Sequence, residues 1–304
     1  MKPALYIIGP TASGKTGLAV AAAREFDGEI LSADSRQLYR GMDLGTGKDL
    51  HEFAEGGSPV AHHLIDIADP GNPMNVHDFF LAYRRALTDV LDRGKLPVVC
   101  GGSGLYIETA LGRNALAGIP DNPALREALR ALERSQLEAR FDALPQALRE
   151  RMDRSTSKRM IRAIEVAAHL ETHPEPTTLL PTTRPVFVAL DIDREARRAR
   201  ITTRLHQRFE DGMLEEAQKL LAKGISPQRL RYYGLEYQCM VDHLEGHSSF
   251  EEMFKRLETD IHRFAKRQMT WFRRMEKRGD QLHWLPYDMP REAQLEQISG
   301  WLTP

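Results

Sequence analysis

Short apolar runs recur through the first hundred residues, each about one strand long and each ending in a polar turn. Residues 5–8, 29–32, 63–67 and 96–100 read as strands, and the helical periodicity over 16–26 and 76–93 places helices between them. That alternation is the pattern of a parallel α/β sheet. A later apolar run, 186–192, returns to the same sheet. Between these parts the texture changes. Residues 114–185 are rich in Arg, Glu, Leu and Ala, are punctuated by Pro120, Pro123 and Pro145, and show no strand pattern. They read as a helical insertion, with the proline-rich stretch 172–185 as the loop that leads back to the sheet. The expected division is a core of 1–113 plus 186–304, with the remaining segment inserted into it. Everything after the last strand is expected to be helical.

The stretch 250–277 carries two stripes. Phe250, Met253, Phe254, Leu257, Ile261, Phe264, Phe272 and Met275 recur at three- and four-residue steps and face a core. Arg256, Arg263, Arg267, Arg274 and Arg278 form a second, basic stripe, and between 255 and 278 nine Lys/Arg stand against three acids. Such a stripe is either a solvated face or a contact for a phosphate backbone.

Composition narrows the class. The 304 residues carry 28% charged side chains and a formal net charge of -1, so global charge points to no nucleic-acid partner. No apolar run is long enough to cross a bilayer, and the chain opens directly into a strand without a signal-peptide pattern. Cys100 and Cys239 form no CxxC-type pair, which fits a reducing compartment. A cytoplasmic protein away from any membrane, acting as a monomer, is the expectation.

The chemistry concentrates after the first strand. Gly9, Pro10, Thr11, Ala12, Ser13, Gly14, Lys15 and Thr16 spell the Gly-x-x-x-x-Gly-Lys-Thr phosphate loop where a strand should turn into a helix. Glycines let successive backbone N–H groups converge on phosphate oxygens, and the helix N-terminus adds its positive end. Lys15 would bridge phosphates and the Thr16 hydroxyl would reach a Mg²⁺ ion. A nucleotide-hydrolysing enzyme usually adds a strand ending in a magnesium-binding acid. Here the strand at 96–100 runs into Gly101-Gly-Ser-Gly104, and Asp66 is the rival acid. An ATP-using small-molecule kinase stays open. Asp34, at the end of the second strand, is placed to act as a general base, or to close an Asx-turn. Ser103 suits a phosphate contact, or a helix cap.

In combination these segments are specific. The phosphate loop, Ser32-Ala-Asp-Ser-Arg-Gln-Leu-Tyr-Arg-Gly-Met-Asp43, His62-His-Leu-Ile-Asp66, Gly101-Gly-Ser-Gly-Leu-Tyr106, Arg159-Met-Ile-Arg-Ala-Ile-Glu-Val166 and Phe264-Ala-Lys-Arg-Gln-Met-Thr-Trp-Phe-Arg273 occur in this order. Over about residues 4–275 the chain strongly resembles the tRNA dimethylallyltransferases. The resemblance implies a phosphate-loop NTPase-like parallel sheet flanked by helices, with an all-helical insertion. It also implies transfer of a dimethylallyl group from dimethylallyl diphosphate to N6 of adenosine 37 in tRNA. By the same resemblance the phosphate loop holds a leaving diphosphate with Mg²⁺ at Thr16, and Asp34 is the catalytic base. Ser103 supplies a hydroxyl where the family usually has Thr, and Arg204 matches an Ile-x-x-Arg arginine facing the diphosphate. The tRNA contacts implied are Asp34, Ser35, Arg36, Gln37, Ser103, Arg126, Lys158, Arg159, Met160, Ile161 and Arg162.

The chain departs from the family pattern at three places. Gly47-Lys-Asp49 replaces the common Ala-Lys-Pro, Ala61 replaces a Pro, and Tyr232-Tyr-Gly-Leu-Glu-Tyr237 replaces an Ile-Gly-Tyr-Lys-Glu pattern. An adenylate isopentenyltransferase, which prenylates free nucleotides, is the nearer alternative to the kinase. His62 and His63 would point to opposite faces of a strand, and so read as hydrogen-bonded core residues rather than zinc ligands.

Overall fold

The computed structural model describes residues 1–173 and 179–303. Among the described residues six strands, all parallel, make one sheet: β1 (Pro3–Ile8), β2 (Gly28–Ser32), β3 (His62–His63), β4 (Leu96–Gly101), β5 (Arg184–Asp191) and β6 (Leu282–Pro286). Their spatial order is β3-β2-β4-β1-β5-β6, so β1 lies in the middle and delivers its C-terminal end to the centre of one edge of the sheet. Open parallel sheets bind ligands at that edge. The strands expected at 5–8, 29–32, 96–100 and 186–192 appear within a residue or two of those bounds.

Two expectations need correction. The run at 63–67 is not a strand: pairing ends at His63, because Leu64 (φ 65°) and Asp66 (φ 55°) take left-handed conformations that no ladder accommodates. The C-terminal part is not wholly helical either, since β6 adds to the free edge of β5 in register from Phe187 with Leu282 to Asp191 with Pro286. Both histidines are hydrogen-bonded, but neither is a core residue, since His62 is exposed and His63 half-buried. His63 Nε2 meets Glu29 Oε2 at 2.7 Å, and His62 Nδ1 lies 3.2 Å from the Val60 carbonyl oxygen.

Helices α1 (Lys15–Glu25), α2 (Val76–Asp92) and α3 (Gly104–Ala110) follow the first strands. The insertion holds α4 (Pro123–Arg130), α5 (Arg134–Asp142), α6 (Gln146–Arg149) and α7 (Ser157–Thr172). It has apolar clusters of its own, one built on Leu129, Leu137, Phe141, Met160, Ile161 and Ala163, the other on Ile119, Leu148, Val166 and Ala167. Of the loop expected at 172–185, residues 174–178 lie outside the described residues. After β5 come α8 (Arg194–Glu210), α9 (Met213–Ala222), α10 (Pro227–Tyr232), α11 (Leu235–Leu244), α12 (Phe250–Lys277) and, beyond β6, α13 (Arg291–Leu302). The apolar stripe of α12 packs into the main core through Met253, Leu257, Ile261, Ala265, Phe272 and Met275. One polar residue, Gln268, interrupts it and is almost fully buried.

Candidate active site

β1 ends at Ile8 and the chain curls through Ala12 (φ 62°) and Gly14 (φ 86°) into the first turn of α1. Gly9 is needed here, because a Cβ on it would lie 2.7 Å from Ser13 Oγ. The curl turns backbone donors and the positive end of α1 toward one space. Lys15 folds back over the loop with Nζ 3.5 Å from the Pro10 carbonyl oxygen. Burial lowers its pKa from the usual lysine value, with Cys100 opposing and Arg204 adding to that effect. Ser13 Oγ is buried without a hydrogen-bond partner among the described residues.

The loop after β2 supplies Asp34. Its Oδ1 accepts the Arg36 backbone N–H at 3.0 Å, so the Asx-turn is present, and the same residue still opens on the cavity. Arg36 pairs with Glu236 at 2.6 Å and stacks over Phe264. Gln37 donates to the Gly47 carbonyl oxygen at 3.2 Å and accepts from the Ser32 hydroxyl at 2.8 Å.

A second loop, residues 43–49, forms the facing wall. Glu216 accepts the backbone N–H groups of Asp43, Leu44 and Gly45 at 2.7 to 2.9 Å, and Gly45 lies flat against the Tyr237 ring. Lys48, fully buried, donates to Asp43, Asp66 and the Tyr39 carbonyl oxygen. Asp66, the rival magnesium acid of the sequence reading, is therefore committed to Lys48 and is absent from the cavity lining. Asp49 (φ 49°) turns its carboxylate to Arg204. Burial would raise the Asp49 pKa, but Arg204, Arg208 and Lys15 outweigh it and hold the carboxyl below its usual value.

α8 closes the space. Arg200, Arg204 and Arg208, spaced one turn apart, project toward the loops, and Arg200 Nε donates to the Ala12 carbonyl oxygen at 2.8 Å. The result is one cavity of about 830 Å³ lined by Thr11, Lys15, Thr16, Asp34 and Asp49 together with these three arginines. Ser103 is not among its lining residues. It starts α3 with no capping hydrogen bond, beside Gly102.

Gln268 is a site residue that the sequence reading missed. Its Oε1 accepts the Thr11 N–H at 2.9 Å and its Nε2 donates to the Gly102 carbonyl oxygen at 3.0 Å. One buried amide thus staples the phosphate loop to the Gly101–Ser103 turn. The available signal was its polarity at a core position of the α12 stripe.

The residues matched to tRNA contact divide. Asp34, Arg36 and Gln37 line the cavity, and Ser35 lies between them in the same loop, half-buried. Lys158 and Arg159 stand on α7 with Arg159 exposed and paired to Asp153. Met160 and Ile161 are corrected to packing residues, because both side chains are buried in the insertion's own core. Arg162 donates to the carbonyl oxygens of Leu116, Ile119 and Pro120, and Arg126 is held by Asp121 and Glu165. On the basic stripe of α12, Arg256 pairs with Asp242 and Arg278 with Glu108.

The family model described as IPP transferase matches residues 37–275. A tRNA dimethylallyltransferase 2 of Bacteroides fragilis is 47% identical over 97% of this chain and 96% of its own. A tRNA dimethylallyltransferase 1 of Parabacteroides distasonis is 46% identical over 96% of this chain and 94% of its own. Among solved structures, a tRNA isopentenylpyrophosphate transferase from Bacillus halodurans superposes with a TM-score of 0.70 at 33% identity, covering 99% of this chain and 96% of that one.

Proposed function

This chain belongs to the IPP transferase family, and from that membership we propose that it transfers the dimethylallyl group of dimethylallyl diphosphate to N6 of adenosine 37 in tRNA, releasing diphosphate. The observation that carries the proposal is the sharing of one cavity by the phosphate loop and the Asp34 carboxylate. A leaving group and a proton acceptor can meet there without a phosphoryl-transfer centre.

The adenine amine attacks the allylic carbon, a C–N bond forms, and the C–O bond to diphosphate breaks with its electron pair going to oxygen. The amine proton passes to Asp34. The Arg36 N–H fixes one oxygen of that carboxylate and leaves Oδ2 for the proton. Charge developing on the diphosphate is met by the phosphate-loop N–H groups, Lys15 and Arg204, all held in place before reaction. Ser103, free of any capping bond, would offer a hydroxyl at the far side of the Gln268 staple. The adenine must leave its stack to enter the cavity. Lys158 and Arg159 are suited to the RNA backbone, which positions the substrate without reading its bases.

Magnesium suits the same corner. Thr16 opens on the cavity, and nearby Glu52 carries a buried oxygen with no hydrogen-bond partner among the described residues, its pKa raised by burial and by Asp49. Thr16 would hold the ion, and when bound it would neutralise diphosphate oxygens. The proposal also takes the protein to be a cytoplasmic monomer. No helix among the described residues is long and apolar enough to cross a membrane.

The test is incubation with tRNA, Mg²⁺ and dimethylallyl diphosphate, followed by digestion and mass analysis of the nucleosides. Isopentenyladenosine at position 37 is the expected product. Equal use of AMP as acceptor would make it an adenylate isopentenyltransferase, and phosphoryl transfer from ATP without prenylation would make it a kinase.

A further inference from the structure

We propose that Arg208 is an additional diphosphate-binding residue of this cavity, seated beside Arg204 by the missing side chain at Gly47. The inference rests on the cavity being a diphosphate site. It does not require prenyl transfer.

Gly47 takes φ 62°, and a Cβ there would lie 1.6 Å from Arg208 Nη2, 2.7 Å from its Cζ and 3.0 Å from Arg204 Nη2. Both guanidinium groups therefore lie against this one residue. Arg204 has partners in the Asp49 carboxylate and the Gly47 carbonyl oxygen. Arg208 has no ion pair among the described residues, although it lines the same cavity. The neighbouring carboxylates are engaged elsewhere: Asp49 with Arg204, Glu236 with Arg36, and Glu216 with the 43–45 backbone and the Tyr237 hydroxyl. Burial and the adjacent Arg204 pull the Arg208 pKa down to about 10. A half-buried guanidinium without a counter-anion is unfavourable unless a ligand supplies the charge. The space in front of it is the one the phosphate loop faces.

The loop itself reads Gly47-Lys48-Asp49. An alanine methyl would collide with Arg208, and a proline would leave Arg204 without its carboxylate. Gly47 and Asp49 thus make room for two cations and neutralise one of them. The other stays available to phosphoryl oxygens, which arginine recognises through its planar fork of donors.

The probe is inorganic diphosphate with Mg²⁺, titrated calorimetrically against the full chain, alongside steady-state KM values for dimethylallyl diphosphate and tRNA. Arg208→Met is expected to weaken diphosphate binding and raise the KM for dimethylallyl diphosphate by about tenfold, with the KM for tRNA unchanged. Arg208→Lys should fall between. Gly47→Ala, which displaces the guanidinium, should weaken diphosphate binding to a similar degree, and adding Arg208→Met to it should bring no further loss. Melting temperatures identify any variant that fails to fold. An unchanged diphosphate Kd in folded Arg208→Met overturns the proposal, and a raised tRNA KM with it would assign Arg208 to RNA phosphate instead. Additive losses in the double variant would overturn the role given to Gly47. A wild-type protein that binds diphosphate but prenylates nothing would sink the proposed function and leave this inference standing; one that binds no diphosphate would sink the inference.

Discussion

Arg126 and Arg162 of the insertion and Lys15 and Arg208 of the phosphate-loop cavity are held in opposite ways, with Arg204, paired to Asp49 yet open on the cavity, between the two. In the insertion, Arg126 and Arg162 share Asp121 and the fully buried Glu165 carboxylate, and Arg162 also takes three carbonyl oxygens. In the cavity, Lys15 reaches a single carbonyl at long range, Arg200 has a carbonyl on the phosphate loop, and Arg208 has no ion pair among the described residues. Saturated cations build structure, and a buried polar network is stabilising only when its members are satisfied. Under-satisfied cations in a cavity mark where an anion binds. By this criterion Arg126 and Arg162 belong to the architecture of the insertion, although sequence resemblance places them among RNA contacts.

The comparison breaks most visibly at Asp34. Asp34→Asn keeps an acceptor for the Arg36 N–H and removes the base. Prenyl transfer should fall about 10²–10⁴-fold in kcat, while the melting temperature stays where it was. Single-turnover measurements with saturating tRNA read the first and calorimetry the second. A large loss of stability would mean that the carboxylate belongs with the structural set.

Glu165→Ala probes the other side. It removes the buried carboxylate that Arg126 and the Asn122 N–H both use. The protein should lose about 2–4 kcal/mol of stability, with diphosphate affinity unaffected. Urea titration and calorimetry check the two halves, and weakened diphosphate binding would show that the insertion shapes the cavity.

Gln268→Ala tests the link between the cavity and the core. It strands the Thr11 N–H and the Gly102 carbonyl oxygen, a loss of about 1–3 kcal/mol. A kcat reduced together with a raised KM for dimethylallyl diphosphate would place the staple in positioning the phosphate loop. Stability loss without either change would make it a core residue only.

What the sequence revealed follows the range of the forces involved. The strands at 5–8 and 96–100 were legible because apolar runs bounded by turns are local signals, and the phosphate loop because glycines, Lys and Thr at fixed spacing serve one local geometry. β6 was not. Leu282-His-Trp-Leu-Pro286 has no clean alternation, and it becomes a strand through pairing with β5 almost a hundred residues earlier in the chain. Gln268 was hidden for the same reason, its partners being 257 and 166 residues away. Met160 and Ile161 were assigned to RNA as a block with Lys158 and Arg159, yet helical geometry sends neighbours in that block to different faces. Their apolar character was the local signal that should have separated them.

That separation sets the smallest expected effect. Arg159 is exposed, and its pair with Asp153 is a surface one that adds little to stability. Arg159→Ala should therefore leave the unfolding midpoint within experimental error. If Arg159 touches an RNA phosphate, tRNA binding should weaken by about threefold and the slope of log affinity against log salt should shrink by about one. Filter binding across a salt series measures both. An unchanged slope would return Arg159 to the solvated surface and leave the recognition of tRNA to the cavity rim and the basic stripe of α12, where Arg267 and Arg274 are the residues to replace next.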